Sequence, residues 1–349
     1  MGSDPVFIPT PRVDDRPLLN ILYGLTGAQA LFVAHNLNLF QLLSNKSLHL
    51  AEICDEYNIL PRAAQAMLSM LSSQKLIRLT EDNRYSLTEI SEDYLLKESP
   101  TYFGSLLDRG WQVSEVYSFE SFKKALMTNT AQVYGGDDLF ETNEQQVEFA
   151  KAFTRSMHSK SMGPASAWPS LIDLSDSRCM LDVGGGSGAH SIWAVFSWPR
   201  LQAIVYDRPI VCDVAEEFIR KFRQQDKIKI CAGDMWEDVF PEADLHFYSD
   251  IFHDWTAEQC VFLAKKSFKS LKPGGRIIIH EMLFNDDKTG PYPVAAYNIF
   301  MLLWAKGQQF SVKEIFELLK KVGFVDIGSQ KTDFGDWSVI TGRKPGRPV

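Results

Sequence analysis

The chain lacks the features that mark membrane, metal-binding or nucleic-acid-binding proteins. No uninterrupted apolar run nears the ~18 residues that cross a bilayer; the longest, Ile299 to Ala305, is far shorter. The N-terminal stretch has no basic-then-apolar secretory pattern. Residues 1–17, punctuated by Pro5, Pro9, Pro11 and Pro17, read instead as a disordered arm. Cysteine is scarce, with five in 349 residues: Cys54, Cys179, Cys212, Cys231 and Cys260. Their dispersal, without CxxC or any metal-ligand spacing, points to reduced thiols, a cytoplasmic location and no bound metal. Positive charge is also short. The net charge of −8 argues against a nucleic-acid partner, whose phosphates want a basic surface. No repeat and no low-complexity tract is visible. What remains, 45% hydrophobic and 23% charged residues, suits a globular enzyme or binding protein long enough for two domains.

From about 18 to 110 the pattern is helical with one hairpin. Leu22, Leu25, Ala28, Leu31, Ala34, Leu37 and Phe40 recur at helical spacing. Ser47 is placed to cap a short second helix. Pro61 opens a third, Arg62 to Gln74, where its missing N–H costs nothing. Ile77 to Leu79 and Arg84 to Leu87 flank the turn-rich Glu81-Asp82-Asn83. This is the winged-helix order. It serves either a DNA reader or a packing and dimerisation module, and a third helix with few cations favours the second. Residues 110 to 165 read as helical, including Asn143 to Ser161.

From Arg178 onward short strands alternate with helices. The strands are Cys179 to Val183, Ala203 to Tyr206, Lys227 to Ile230, Leu245 to Tyr248 and Gly275 to His280. Helical patterns fill Val211 to Gln225, Thr256 to Leu271 and Val312 to Val322, and Trp337 to Thr341 reads as a late strand. Such alternation implies a mostly parallel sheet covered on both faces. Between the first strand and a helix near His190 lies Asp182-Val183-Gly184-Gly185-Gly186-Ser187-Gly188. Glycines there let backbone amides approach a ligand. Asp207, ending the next strand, can accept hydrogen bonds from both hydroxyls of a ribose. Loop and acid together indicate a nucleoside cofactor. Gly184, Gly186 and Ala189 also satisfy G-x-G-x-x-A, so a nicotinamide dinucleotide stays open at this point, as does a regulator that senses a nucleoside.

Three further stretches follow successive strands: Gly233-Asp234-Met235, Phe252-His253-Asp254-Trp255 and Leu271-Lys272-Pro273-Gly274-Gly275. With the glycine loop, this series closely resembles the class I S-adenosylmethionine-dependent small-molecule O-methyltransferases. That family includes plant caffeate and flavonoid, acetylserotonin and bacterial natural-product enzymes, and the resemblance spans nearly the whole chain. It implies an α/β fold, with a Rossmann-like methyltransferase domain over 111–349 preceded by an α-rich, winged-helix-like dimerisation domain over 18–110. It also implies a homodimer and S-adenosyl-L-methionine as cofactor. Asp182, Gly184, Gly186 and Gly188 would line the methionine and ribose portions, Asp207 the ribose hydroxyls, and Asp234, Met235 and Trp255 the adenine side. His253 falls at the family's catalytic base and Glu281 at the acid that orients it. Asp254 would orient His253 or cap the helix near Thr256, and the cap is the expected role.

Two stretches depart from the family. Gly307-Gln308-Gln309-Phe310-Ser311 stands where relatives carry Gly-x-Glu-Arg-Thr, so Gln309 replaces the acid, offering a neutral amide beside the histidine, and Phe310 replaces the arginine. Asp250 stands where bacterial relatives often have arginine. These changes keep C-methylation, or another reaction on the same scaffold, open beside O-methylation. For a small aromatic substrate, Phe153, Met157, Asn298, Met301 and Leu302 are the candidate walls, with Trp304 adding aromatic surface.

Overall fold

The computed structural model describes residues 10–133 and 144–346. Most of the expected N-terminal arm and Asn143 lie outside the described residues. The chain divides into two compact units after Gly104.

In the first unit the helical spacing produces α1 (Arg16–Asn36), α2 (Leu39–Leu42), α3 (Leu50–Tyr57), α4 (Pro61–Ser73) and α5 (Glu89–Tyr94). A small antiparallel sheet of β1 (Leu48–His49), β2 (Ile77–Leu79) and β3 (Arg84–Leu87) has the order β1-β3-β2. Pro61 opens α4, which buries Ala64, Leu68 and Leu71, one helical face at the i, i+4, i+7 spacing. Ser47 does not cap α3. Pairing of Leu48 and His49 with β3 keeps the chain extended for two more residues, so His49 takes the cap and its backbone N–H donates to Glu52 (2.7 Å). On α1, Leu18, Ile21, Leu22 and Leu25 are each 66–71% exposed, an apolar face that is not core of this chain.

The second unit begins with α6 (Gly104–Gln112), α7 (Phe119–Thr128) and α8 (Glu144–Ala167). The Gly163-Pro164 pair does not end α8, although proline removes a helical donor. Gly163 lets the Phe334 ring lie where a Cβ would sit. Then come β4 (Cys179–Val183), α9 (Ala189–Ser197), β5 (Gln202–Asp207), α10 (Pro209–Lys221), β6 (Ile228–Ala232), β7 (Leu245–Ser249), α11 (Ala257–Ser270) and β8 (Arg276–Met282). The chain closes with α12 (Tyr292–Trp304), α13 (Val312–Val322), β9 (Val325–Lys331) and β10 (Trp337–Arg343).

These strands form a seven-stranded sheet in the order β6-β5-β4-β7-β8-β10-β9. The first five are parallel, and β10 runs antiparallel to both its neighbours. Alternating side chains feed two cores, one on each face. Leu181, Tyr206, Tyr248 and Ile279 join one cluster, while Met180, Val205, Phe247 and Ile278 join the other. Strand β9 carries no strand signal in its sequence, Val-Asp-Ile-Gly-Ser-Gln-Lys, because it lies on a largely exposed edge and needs no apolar alternation.

Candidate active site

Crossovers in a parallel sheet bring the carboxyl ends of its strands to one edge, where ligands bind. Here that edge gathers the glycine loop after β4, Asp207 at the end of β5, Asp234 after β6, His253 after β7 and Glu281 within β8.

The glycine loop is shaped by three left-handed residues, Gly184, Gly186 and Gly188, with φ of 66°, 56° and 76°, a region that β-carbons disfavour. The Gly186 N–H donates to Asp207 Oδ2 (2.8 Å) and the Arg208 N–H to Asp207 Oδ1 (2.7 Å). Burial pushes the Asp207 carboxyl up to about 6, and those two N–H bonds resist the push. Asp182 turns inward, accepting from Ser191 Oγ at 2.7 Å, so its carboxylate ties the loop to α9. Asp234 accepts from Arg208 (2.8 Å) and from the Trp236 N–H (2.8 Å). Met235 packs half-buried on the core, and Trp255 meets Trp236 edge-on at 4.7 Å. The edge fits a nucleoside. A β-carbon on Gly186 would meet nothing within 4 Å, and the Trp255 indole N–H is buried with no hydrogen-bond partner among the described residues.

His253 is 2% exposed, in a short 3₁₀ turn, Phe252–Asp254. Three carboxylates surround its ring. Glu281 Oε2 is 2.7 Å from Nδ1, a close ion pair although the two atoms are not aligned as a directional hydrogen bond. Asp250 Oδ1 is 3.6 Å from Nδ1, and Asp254 Oδ1 is 3.5 Å from Nε2. The other oxygen of Glu281 accepts the backbone N–H groups of Ile251 and Phe252, so the acid fixes the whole turn. Burial alone would push the imidazole down. Glu281, then Asp254 and Asp250, overcome this and raise it to about 9. Donor atoms of Asp250, His253 and Glu281 lie within 4.8 Å of one another, but Lys160 Nζ, 2.7 Å from Asp250, already brings a cation to that group.

Asp254 does not cap α11. Thr256 does, in a reciprocal pair with Gln259, which leaves Asp254 facing the histidine. Gln309 is 1% exposed, and both polar atoms of its side chain lack a partner among the described residues. Its backbone N–H donates to Asn298 Oδ1 (2.8 Å). Gly307 runs against the backbone of His253 and Trp255, where a β-carbon would overlap the His253 carbonyl oxygen. Of the apolar walls, Met301 is buried, while Phe153, Met157 and Leu302 are half-buried.

Sequence reasoning missed four groups. Arg109 on α6 lies 4.4, 4.8 and 4.6 Å from the ring centroids of Phe149, Phe153 and Trp304. Tyr297 has its ring 5.4 Å from that of His253. Arg208 bridges to Asp234, and Lys160 pairs with Asp250.

Fold, loop and edge together define a Rossmann-like enzyme of the S-adenosylmethionine-dependent methyltransferase class. The O-methyltransferase domain family matches residues 119–325, and the O-methyltransferase dimerisation domain matches residues 19–97. The chain belongs to the S-adenosylmethionine-dependent O-methyltransferase family. It is 26% identical over 336 residues to the acetylserotonin O-methyltransferase of Bos taurus, covering 92% of this chain and 95% of that one. It is 29% identical over 336 residues to an L-tyrosine C(3)-methyltransferase of Streptomyces lavendulae, covering 93% and 91%. Human N-acetylserotonin methyltransferase in complex with SAM is similar with a TM-score of 0.84 at 27% identity, covering 97% of this chain and 100% of that one. The cofactor left open by the glycine loop is therefore S-adenosylmethionine, and the nicotinamide and regulator readings give way.

Proposed function

We propose that this enzyme methylates a hydroxyl group of a small aromatic acceptor, with His253 as general base. The observation that carries the reading is the buried contact of His253 Nδ1 with Glu281 at 2.7 Å. A phenol, with a pKa near ~10, is a weak nucleophile at neutral pH. An imidazole within hydrogen-bond reach of the hydroxyl adds typically ~10²–10⁴-fold. Glu281 occupies Nδ1, so Nε2 is the nitrogen that takes the proton, and Asp254 beside it shares the positive charge that results. When bound, S-adenosylmethionine supplies an electrophilic methyl on a cationic sulfur, and that added charge favours the uncharged imidazole the reaction needs.

In this reading Gly184, Gly186 and Gly188 cradle the cofactor, Asp207 accepts the ribose hydroxyls, and Asp234, Met235 and Trp255 hold the adenine. Asp182 anchors the loop through Ser191. Phe153, Met157, Met301 and Leu302 give the acceptor apolar walls, while the Asn298 and Gln309 amides orient it. The exposed face of α1, within the segment matched by the dimerisation domain, supports a homodimer. Among the described residues α1 is also the one helix long and apolar enough to cross a bilayer; pairing with a second copy accounts for the same apolar surface. Five unpaired cysteines support a cytoplasmic location.

The decisive experiment is mass-resolved turnover of a panel of phenolic and tyrosine-like compounds with S-adenosylmethionine, wild type against His253→Ala. An O-linked gain of one methyl, lost in the variant, is the expected result. Product formed equally well by the variant, or methyl found on carbon, would overturn the general-base reading.

A further inference from the structure

The roles above leave one buried ion pair unused. Lys160 on α8 reaches Asp250, in the turn after β7, at 2.7 Å, with the two side chains 13% and 14% exposed. A buried pair of this kind is a poor stabiliser, because desolvating two charges offsets their attraction, and apolar residues would serve the fold as well. The site is costly in a second way: Asp250 adopts a left-handed backbone, φ 53°, which a residue with a β-carbon disfavours. Its Oδ2 takes the lysine, while its Oδ1 has no hydrogen-bond partner among the described residues and lies 3.6 Å from His253 Nδ1. The lysine is itself fixed, with Nζ 3.9 Å from the ring centroid of Tyr297 and 5.2 Å from that of Trp337. The Tyr297 ring in turn meets that of His253.

We propose that Lys160 is a positioning residue for the reaction: its ammonium keeps Asp250 ionised, and ionised Asp250 joins Glu281 in setting how strongly His253 holds a proton. Burial alone would push the Asp250 carboxyl up; Lys160 first, and then His253, bring it below the usual carboxylate range. The other titratable groups that face His253 are Glu281 from β8, Asp254 from its own turn and Tyr297 from α12; Cys260 from α11 lies on the Glu281 and Asp254 side, and His190 from α9 and His280 from β8 lie on the side of the Lys160–Asp250 pair. Burial holds both neighbouring histidines neutral, so Lys160 is the cation that answers Asp250 once His253 has lost its proton. Without it, Asp250 would be a buried acid beside other acids and would take up a proton.

The inference rests on His253 as the base, yet its test needs no turnover. In ¹³C-histidine-labelled protein without cofactor, the His253 resonance is identified by its loss in His253→Ala and titrated. Asp250→Asn should lower the midpoint by roughly one pH unit, the scale of a nearby-charge effect. Lys160→Met should lower it by the same amount, the double variant no further, and Lys160→Arg should restore the wild-type value. If Lys160→Met misfolds, Lys160→Gln, which also removes the ammonium but keeps a polar end, takes its place with the same expected midpoint. A double-variant midpoint equal to wild type, a Lys160→Met midpoint that is unchanged or higher, or effects that add across the cycle would each overturn the proposal. Full turnover by His253→Ala would instead overturn the general-base reading and leave the titration result standing.

Discussion

His253 Nδ1 and Glu281 Oε2 lie 2.7 Å apart with both residues 2% exposed, and this contact is the one on which the proposed acid–base role rests. Glu281 also holds the turn by its other oxygen, so the carboxylate sets both where the ring sits and how basic it is. With the ring raised to about 9, the neutral imidazole that the proposed mechanism needs is scarce at neutral pH in the cofactor-free enzyme. The profile of kcat/KM for S-adenosylmethionine, which reports the cofactor-free enzyme, should therefore climb through neutral pH and level off near pH 9. Glu281→Gln should move that rise to lower pH and cut the plateau by roughly 10²-fold or more. A plateau already reached at pH 7 would contradict the account.

The same shift fixes a pH dependence of stability. The folded value lies above the unfolded value of about 6.5, so protonated His253 stabilises the fold fully below pH 6.5. That contribution is lost as pH rises through about 9. The Tm gap between wild type and His253→Gln, measured by calorimetry without cofactor, should be largest near pH 6 and shrink steadily towards pH 9. A gap of constant size across that window would mean that the three carboxylates do not act on the ring.

At the opposite end of the edge, Asp207 is a half-buried acid whose two oxygens already take the Gly186 and Arg208 N–H groups. Its remaining lone pairs are what a ribose diol would use. Asp207→Asn keeps an oxygen for the loop amide but loses the charge, and hydrogen bonds to charged groups are worth about 1.5–3 kcal/mol each. S-adenosylmethionine should bind roughly 10–100-fold more weakly by calorimetric titration, with little change in Tm. Burial also pushes Asp207 up to about 6, so wild-type affinity should fall below that pH while the variant's stays flat. Equal affinities for the two proteins at pH 7.5 would remove Asp207 from the cofactor site.

How far the sequence could be read depended on where each signal was stored. Strands β4, β5, β7 and β8 were legible because both faces are buried and apolar runs had to mark them. Gly184 and Asp207 were legible because each sits at the end of such a strand, whereas His253, in a turn beyond β7, stood out through the family resemblance. Lys160, Tyr297 and Arg109 were not, and Asp250 stood out only as a departure from the family, since their pairings join helices and turns far apart in the chain and periodicity carries no information about such contacts. Asp254 was assigned to a helix cap by local rule, and Thr256 with Gln259, one turn later, held the better capping pair. Gln309 could be placed by family resemblance, yet its buried, unpartnered amide became visible only in three dimensions.

Gly307 offers a test that bears on geometry alone. It carries no functional group, but a β-carbon there would overlap the His253 carbonyl oxygen and crowd the Trp255 N–H. Both contacts are backbone atoms, which cannot rotate aside as a flexible side chain can. Gly307→Ala should therefore push the 307–309 segment away from the turn that presents His253. The cost should be about 1–3 kcal/mol of stability, typical of overpacking, and turnover should fall by roughly 10²-fold, the scale of an ångström-sized misplacement of a catalytic group. S-adenosylmethionine affinity should change little, because the glycine loop and Asp207 lie on other strands. Kinetics and calorimetric titration on the one variant separate these effects: a loss of cofactor binding as large as the loss of turnover would mean that Gly307 supports the whole edge, and undiminished turnover would mean that the segment does not position His253.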